Sequence, residues 1–443
     1  MNKKRSCKLV NILYLHTHDT GKYISPYGFN SPTPNLMKLA KEGTVFRKAF
    51  SAAPTCSPSR AGLLSGCSPH IIGMLGLAHR GFKFNDYNKH LVNWLNKFGY
   101  ETVLCGVQHE APSADYIGYK TILNENEHLP DDWENDIKNA KLISKFLKSN
   151  PKKPFFLSFG MQNTHIPFPE AKINSNYVNP PSVLYDNSYT RKDMAEFLTS
   201  LSIVDECIGE VLTALKENDM EEETLIIFTT DHGLPLPNMK CTLYDSGIGV
   251  SLIIKFPNNK RMGEATDMLT SHLDIFPTIC DLAGIERPSW LEGKSLKPYF
   301  EGKTDKIRDE IYAEITFHAA YEPTRCIRTD RYKYIKFYDN HDDIIPANID
   351  DTYSKKFLLD SGLLNKKRQK EMLFDLYLDP MERNNLVNDE NYISVLNELK
   401  IKLENWMQKT NDPLLKGKVK KPKGAIVNTR DCLSAEEKKY EDE

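Results

Sequence analysis

Residues 56–66 read Cys56-Ser57-Pro58-Ser59-Arg60-Ala61-Gly62-Leu63-Leu64-Ser65-Gly66, and this stretch decides how the rest of the chain is interpreted. Pro58 favours a turn at the thiol, and the following residues predict a short helix whose first backbone amides point back at Cys56. Such a position favours an anion or a nucleophile, and Arg60 adds a positive charge nearby. Read alone, Cys56 fits either a reactive site or an ordinary capped turn with a buried cysteine.

Short apolar runs alternate with segments of helical spacing through the first two-thirds of the chain. The runs typical of buried strands are residues 9–15, 101–105, 155–159, 225–228 and 251–256. Helical spacing is found at 137–146 and 194–215. This alternation predicts an α/β fold, with a mostly parallel sheet between helices and ligands at the carboxyl ends of its strands.

The pattern changes after about Gly302. Residues 311–315 and 332–337 predict antiparallel strands, and residues 392–408 predict an amphipathic helix. We therefore expect a catalytic core over 1–305, a smaller α+β subdomain over 306–415 and a charged tail over 416–443. Residues 373–386 are interpreted as a turn that packs the subdomain on the core.

The composition excludes several classes of protein. The chain has 443 residues, with 58 Lys and Arg against 60 Asp and Glu, so its net charge of −2 argues against a partner that is nucleic acid or an anionic membrane. The nine cysteines form no C-x-x-C pair, which argues against a zinc ribbon. The basic residues 1–8 lack a signal-peptide cleavage pattern, and no apolar run is long enough to span a bilayer. These features predict a cytoplasmic protein.

Acidic residues follow two of the expected strands. Asp19 comes after the run 9–15, and Asp231 with its neighbour His232 comes after the run 225–228. A carboxylate in either place can cap the next helix. Two of them, one beside a histidine, also suggest a site for a divalent cation.

The stretch from Cys56 to Gly66 resembles the signature C-x-P-S-R-x-x-x-L-x-G of the sulfatases, formylglycine-dependent enzymes of the alkaline phosphatase superfamily. The resemblance implies that a formylglycine-generating enzyme oxidises Cys56 to an aldehyde. The hydrated aldehyde attacks sulfur and forms a covalent sulfate adduct, which then collapses to release sulfate. It also implies an alkaline-phosphatase-like core and one bound calcium ion.

The resemblance assigns roles to further residues, each in a segment that matches the family. Asp19, Asp231 and His232 would hold the calcium ion, while His18 stands where the family usually has an Asp. In Gly106-Val107-Gln108-His109, the histidine matches and Val107 replaces the family lysine. The resemblance further implies that Arg60 steadies the hydrated aldehyde, Lys240 binds sulfate, His109 drives collapse of the adduct, and His165 is the general acid.

Within the sulfatases, the chain is most similar to the heparan N-sulfatase (N-sulfoglucosamine sulfohydrolase) branch, through residues 56–77 and 231–244. That likeness implies a sulfated sugar such as N-sulfoglucosamine as substrate. His70 would then contact the substrate or serve only to end a helix. Two alternatives stay open: a phosphonate monoester or phosphodiester hydrolase of the same superfamily, and a non-catalytic binder of sulfated glycans.

Overall fold

The computed structural model describes residues 9–124, 133–151 and 154–442. The basic residues 1–8 and the last residue of the tail, Glu443, lie outside the described residues. Residue numbers are those of the full chain.

The strands form a large sheet, a two-stranded sheet and a C-terminal sheet. In chain order they are β1 (Asn11–Thr17), β2 (Thr44–Phe46), β3 (Ala49–Phe50), β4 (Glu101–Gly106), β5 (Thr121–Ile122), β6 (Phe155–Gly160), β7 (Thr224–Thr230), β8 (Leu252–Lys255), β9 (Glu264–Thr266), β10 (Thr270–Ser271), β11 (Glu310–Phe317), β12 (Tyr321–Thr329), β13 (Tyr332–Phe337) and β14 (Glu371–Asp375).

The helices connect and cover these strands. In chain order they are α1 (Pro34–Glu42), α2 (Cys56–Ser65), α3 (Pro69–Ile72), α4 (Leu91–Lys97), α5 (Glu134–Lys148), α6 (Ser188–Glu217), α7 (Asp245–Ile248), α8 (Ile275–Ala283), α9 (Lys297–Phe300), α10 (Tyr353–Asp360) and α11 (Ile393–Lys409).

The large sheet has the strand order β5-β4-β6-β1-β7-β8-β2-β9. Strands β5, β4, β6, β1 and β7 run parallel to one another, and β8 is antiparallel to both of its neighbours. The expected mostly parallel sheet is therefore confirmed. The run 251–256 is indeed a strand, but it is the one that reverses direction.

Both faces of the large sheet are buried, because side chains alternate along its strands. On β1, Leu13 and Leu15 pack into the core shared with α1, α5 and α6. Ile12 and Tyr14 pack into a second core shared with α2, α4 and α8. Helices thus cover both faces, as the near-continuous apolar runs predict.

The start of α1 is not capped by a side chain. Pro34 is its first residue, and Gly43 follows its last residue, Glu42. The hydroxyl of Thr33, the residue before the helix, makes no capping hydrogen bond. It donates a hydrogen bond to the Ser25 hydroxyl at 2.8 Å, so that the loop before α1 is held together instead.

The C-terminal sheet is antiparallel, with the order β11-β12-β13-β14. The first part of residues 373–386, interpreted above as a turn, is strand β14, which pairs with β13. The short pattern Met372-Leu373-Phe374 was too brief to identify as a strand without its partner. Helix α11 packs Leu399 and Leu403 against this sheet, close to the predicted bounds. The division of the chain into residues 1–305, 306–415 and 416–443 stays a prediction.

The chain after α11 lies against the core over its described residues, 410–442. The backbone amide of Asn428 donates to Ala319, and that of Ile426 donates to Arg80. The Arg80 guanidinium donates in turn to the Asn428 side chain at 2.6 Å and to the Ala435 carbonyl at 2.8 Å. These bonds hold the C-terminal segment against Arg80 and Ala319.

Across the described ranges 9–124, 133–151 and 154–442, we find no helix whose length and apolar character would let it cross a membrane.

Candidate active site

The sequence-predicted site residues gather at the carboxyl edge of the large sheet. Strands β4, β6, β1 and β7 are consecutive neighbours in that sheet, so the segments that follow them meet. In that order, these segments carry His109, then His165, then His18 and Asp19, and finally Asp231 and His232.

Cys56 is the first residue of α2 and is buried at this edge. Its Sγ atom lies 3.4 Å from Nε2 of His232. Burial raises the pKa of the Cys56 thiol well above its usual range, although the charge of Lys240 opposes that effect. In the folded protein the Cys56 side chain is therefore a protonated thiol and not a thiolate nucleophile.

Four charged residues form what we call the carboxylate side of the site: Asp19, Asp231, Arg60 and Lys240. The Arg60 guanidinium donates to Oδ2 of Asp231 at 2.9 Å, and Lys240 Nζ donates to Oδ2 of Asp19 at 2.9 Å. The backbone amide of Asp19 donates to Oδ1 of Asp231 at 2.8 Å, which joins the two pairs. All four side chains are buried.

Asp350, between β13 and α10, adds a third carboxylate. Its Oδ2 lies 2.8 Å from Lys240 Nζ, so the ammonium is held between Asp19 and Asp350. Three carboxylates therefore face two cationic side chains, Arg60 and Lys240, and the buried cluster has an excess of negative charge. Sequence reasoning missed Asp350, because no motif surrounds it.

The two central carboxylates have opposite electrostatics. Burial raises the pKa of Asp19 to about 6, against the attraction of Lys240 and His232. Burial also opposes ionisation of Asp231, but His232, Arg60 and the Asp19 amide overcome it and hold its pKa well below the usual range. Asp231 is thus a fixed anion, whereas the charge of Asp19 depends more strongly on its partners.

Three histidines form what we call the imidazole side: His18, His109 and His165. The ring of His18 makes edge-on contacts with the other two, at centroid distances of 4.8 Å to His109 and 5.5 Å to His165. Burial, followed by the charge of Arg60, lowers the pKa of His18 well below its usual range. Burial and Lys240 lower the pKa of His165 to about 4. His18 and His165 are therefore neutral at neutral pH.

His18 lies between the two sides. Its Nδ1 atom is 3.5 Å from Oδ2 of Asp231. Within the described part of the chain, neither ring nitrogen of His18 has a hydrogen-bond partner, and the same is true of Oδ1 of Asp19. Donor atoms of His18, Asp19, Cys56 and Asp231 all lie within 4.8 Å of one another. Buried ligand atoms without partners are the expected state of a cation site in a protein described without ions.

Two of these residues adopt left-handed backbone conformations. Asp19 has φ of 47° and His109 has φ of 60°. Residues other than glycine adopt this region at a cost, and such residues cluster at functional sites. These strained backbone conformations thus orient the side chains of Asp19 and His109 at a cost in free energy.

His70 lies in a different cluster. Its Nδ1 atom is 2.9 Å from Oε2 of Glu314, which also contacts Arg325, and its ring meets Trp406 edge-on. These partners hold His70 under the C-terminal sheet and give it a structural role. Its contact with substrate stays a prediction.

Two further observations concern charge. The Val107 side chain, which stands where the family resemblance implies a lysine, is apolar and buried and brings no positive charge to that position. His318, which follows β11, is buried near Lys240, and burial with the charge of that lysine lowers its pKa well below the usual range. His318 carried no sequence signal beyond its residue type.

A cleft of about 1200 Å³ has Ile166 and Asp351 in its lining, and these residues directly follow His165 and Asp350 in the chain. Its ionisable lining comprises five acidic residues and three lysines. They are Glu170, Asp193, Glu196, Asp351, Asp360, Lys192, Lys355 and Lys356. The walls therefore repel a long polyanion more than a small, singly charged molecule.

Comparison with known proteins agrees with this geometry. The family model described as "Sulfatase" matches residues 11–285, and the model "N-sulphoglucosamine sulphohydrolase, C-terminal" matches residues 238–350. The human N-sulphoglucosamine sulphohydrolase is 28% identical over 91% of this chain and 91% of its own length. An ulvan-active sulfatase of Formosa agariphila is 27% identical over 91% of this chain and 75% of its own length.

A solved structure described as being in complex with its substrate D-glucosamine-2-N,6-O-disulfate shares the fold. It has a TM-score of 0.73 and 20% identity, covering 93% of this chain and all of that one. The first family model alone spans more than half of the 443 residues. Through that match, and with its candidate residues collected at one sheet edge, the chain belongs to the sulfatase family, whose members are hydrolases of sulfuric esters.

Proposed function

We propose that this protein removes sulfate from a sulfated sugar, with N-sulfoglucosamine as the first candidate, using Cys56 oxidised to formylglycine and one bound divalent cation. The observation that carries the proposal is the position of Cys56 at the start of α2, beside His232 and two buried carboxylates. A function in the breakdown of glycosaminoglycans follows if the substrate is the N-sulfated sugar.

The residues present fit a calcium ion. Asp19, Asp231 and His232 would hold it, with His18 as a possible fourth ligand on the same edge. The excess of carboxylates over Arg60 and Lys240 leaves negative charge for a cation to neutralise, and carboxylate oxygens are the ligands calcium prefers. When bound, calcium would supply positive charge for the sulfate oxygens and lower the pKa of a nearby hydroxyl.

Conversion of Cys56 by a formylglycine-generating enzyme supplies an aldehyde, whose hydrate is the oxygen nucleophile that the thiol is not. Arg60 lies one turn along α2 and is held by the Thr17 carbonyl and Asp231, so its charge stays near position 56. Lys240 would exchange its pairing with Asp19 for a contact with the sulfate, while its ammonium stays paired with Asp350.

The imidazole side would handle protons. His165 is neutral in the free protein, and an anionic sulfate beside it would raise its pKa, so that it can carry a proton to the leaving atom. A sulfamate nitrogen leaves only when it is protonated, which makes this group especially important for N-sulfoglucosamine. His109, whose ring contacts that of His18 edge-on, would take the proton that allows sulfate release.

The decisive experiment is the mass of the tryptic peptide 49–60, which contains Cys56. We expect an aldehyde in protein produced together with a maturation enzyme, and sulfate release that depends on this conversion. An intact thiol in fully active protein would contradict the proposal, and an intact thiol in inactive protein that still binds sulfated sugars would indicate a glycan binder.

Substrate preference can be measured on a panel of glucosamine N-sulfate, glucosamine 6-sulfate, an aryl sulfate and a sulfated oligosaccharide. We expect the N-sulfated monosaccharide to have the highest kcat/KM, and the oligosaccharide to be disfavoured by the acidic cleft. If only O-sulfates react, the N-sulfatase assignment fails, while the assignment as a sulfatase stands.

One observation favours the alternative of a phosphonate monoester or phosphodiester hydrolase. Val107 stands where the family has a lysine that would bind sulfate. Lys240 is then the one lysine proposed to contact the sulfate. A comparison of kcat/KM for an aryl sulfate and an aryl phosphonate separates the two functions. We expect the sulfate to be preferred.

A further inference from the structure

Cys56 and His18 belong to two groups of possible metal ligands, and only one of them is the carboxylate group described above. In the second group, donor atoms of His18, Cys56 and His109 all lie within 4.8 Å of one another. This group contains no carboxylate and includes His109 in place of Asp19 and Asp231. It consists of two imidazoles and one thiol.

We propose that, while Cys56 is still a thiol, His18, Cys56 and His109 form a second metal site that binds a soft transition-metal ion such as Zn²⁺. This site is distinct from the position that Asp19 and Asp231 offer to calcium.

The chemistry of the donor set supports this ion class. Thiolate and imidazole ligands suit zinc and its neighbours, whereas calcium takes oxygen ligands. Zinc–sulfur and zinc–nitrogen bonds of about 2.0–2.3 Å in a tetrahedron place ligand atoms about 3.3–3.8 Å apart. The three side chains therefore need to move by only about 1 Å to bind the same ion.

The surroundings of His18 point to the same conclusion. Both of its ring nitrogens are buried and have no hydrogen-bond partner among the described residues, so they are available to a ligand. The neighbouring Val107 contributes no ammonium that would repel a metal ion. Three protein ligands leave a fourth position open, as in zinc sites that bind water or an anion.

Metal binding and conversion of Cys56 exclude each other. Binding replaces the S–H bond by a sulfur–metal bond and releases one proton, with no change in oxidation state. Conversion to formylglycine removes the sulfur atom and with it the only soft anionic ligand. An ion at this site would also occupy the space between Cys56 and His109 that sulfate release requires.

The test uses the full chain from a host without a maturation enzyme, with the thiol confirmed by the mass of peptide 49–60. After treatment with a chelator, Co²⁺ is added under anaerobic conditions as a spectroscopic probe for Zn²⁺. We expect a thiolate-to-cobalt charge-transfer absorption that saturates at one ion per chain and disappears on addition of Zn²⁺. Cys56→Ser should abolish it, which excludes the other cysteines as its source.

The histidine variants decide which group holds the ion. His109→Asn should weaken Co²⁺ binding by at least about 100-fold, more than the loss of an outer partner costs. Asn tolerates the left-handed backbone at this position. His79→Asn is the matched control, because this exposed imidazole lies 6.2 Å from His109 but outside the group, and it should retain the absorption.

Asp19→Asn separates the two sites. It should keep the cobalt absorption and lose the thermal stabilisation by calcium. The proposal is overturned if His109→Asn binds Co²⁺ with unchanged affinity, or if Asp19→Asn abolishes the absorption while His109→Asn keeps it. Should His109→Asn fail to fold by circular dichroism, His109→Gln takes its place, because only His109 distinguishes this group from the carboxylate group. Because the cobalt absorption and not sulfate release is the readout, the outcomes that decide this proposal do not depend on the proposed function.

Discussion

The carboxylate side of the site is buried, the imidazole side is only partly so, and the two sides differ in how they carry charge. On the carboxylate side, Arg60 pairs with Asp231, and Lys240 with Asp19 and Asp350, so the side chains stay charged. On the imidazole side, burial keeps His18 and His165 neutral. A buried charge is retained where a partner of opposite sign is within reach and is otherwise lost.

This difference assigns different tasks to the two sides. Fixed charges on the carboxylate side are suited to holding a cation and an anionic sulfate without rearrangement. Neutral imidazoles on the other side are suited to accepting and donating protons once a substrate arrives. His18 lies between them: its Nδ1 atom is 3.5 Å from Oδ2 of Asp231, and its ring contacts that of His109.

The largest effect is expected at Cys56, where the two sides meet. Cys56→Ala should reduce sulfate release to background while the fold remains intact, since no other residue can supply the nucleophile. Cys56→Ser should be equally inactive where the host converts only cysteine. Circular dichroism and a sulfate-release assay test this.

Cys67→Ala is the matched control for that experiment. It removes a second buried thiol just after the same helix, whose Sγ contacts the Trp290 carbonyl. This variant should lose some stability but keep its turnover number. Undiminished turnover in Cys56→Ala would remove Cys56 from the chemistry.

On the imidazole side, His165→Gln should lower kcat for a sulfated sugar by about 100-fold to 10,000-fold, the usual contribution of a general acid. An aryl sulfate with a good leaving group should be affected much less, because its oxygen leaves without a proton. His341→Gln, at a histidine paired with Asp339 away from the site, is the control. Equal losses on both substrates would contradict the role of His165.

On the carboxylate side, Asp231→Asn should lower the free energy of unfolding by about 3–5 kcal/mol, because it leaves the Arg60 guanidinium buried without its carboxylate. Asp19→Asn should cost less, since Lys240 keeps Asp350. Urea unfolding in the presence of a chelator measures both. A larger loss in Asp19→Asn would show that the pairing of Lys240 with Asp19 contributes more to stability than the pairing of Arg60 with Asp231.

Variants at His18 and Val107 test whether the loss of a negative charge at one position is balanced by the loss of a positive charge at the other. Val107→Lys and His18→Asp should each be destabilising, because each adds an unpaired buried charge. The double variant should recover about 1–3 kcal/mol relative to the sum of the single changes. Additive changes in the free energy of unfolding would mean that the two departures from the family pattern are unrelated.

The smallest effect concerns pH. The pKa of His165 is about 4 in the folded protein, below its ordinary value near 6.5, so the unfolded chain binds its proton first as the pH falls. Its contribution to stability is therefore complete above about pH 6.5 and is lost as the pH falls towards 4. Because His165 is partly exposed, we expect only about 1–2 kcal/mol. His165→Gln should reduce by that amount the loss in free energy of unfolding between pH 7 and 4.5.

Much of the fold was predictable because its signals are local. The buried strands β1, β4, β6 and β7 are apolar runs, and the residues that follow them could be placed at one sheet edge from the topology rule alone. Strand β14 was not predictable, because a short apolar run becomes a strand only when β13 is beside it.

The site was predictable to the extent that its residues follow strands or belong to a motif. Asp350 and His318 do neither. Each approaches Lys240 from a segment of the chain that shares no pattern with it, so their place beside the ammonium is a product of tertiary packing. For His70 the sequence left a substrate contact and a helix-end role open, and the structure adds the partners Glu314 and Arg325, which no local pattern predicts.

The pair between Arg60 and Asp231 joins residues 171 positions apart. While the chain is being synthesised, α2 therefore lacks its main buried anion until β7 and Asp231 have been made. At about 5–20 residues per second, this interval lasts roughly 10–35 s. In the finished protein the Cys56 thiol is buried. If Cys56 is converted as proposed, a maturation enzyme would therefore reach it during this interval, and slower translation between these two codons should raise the fraction of converted chains.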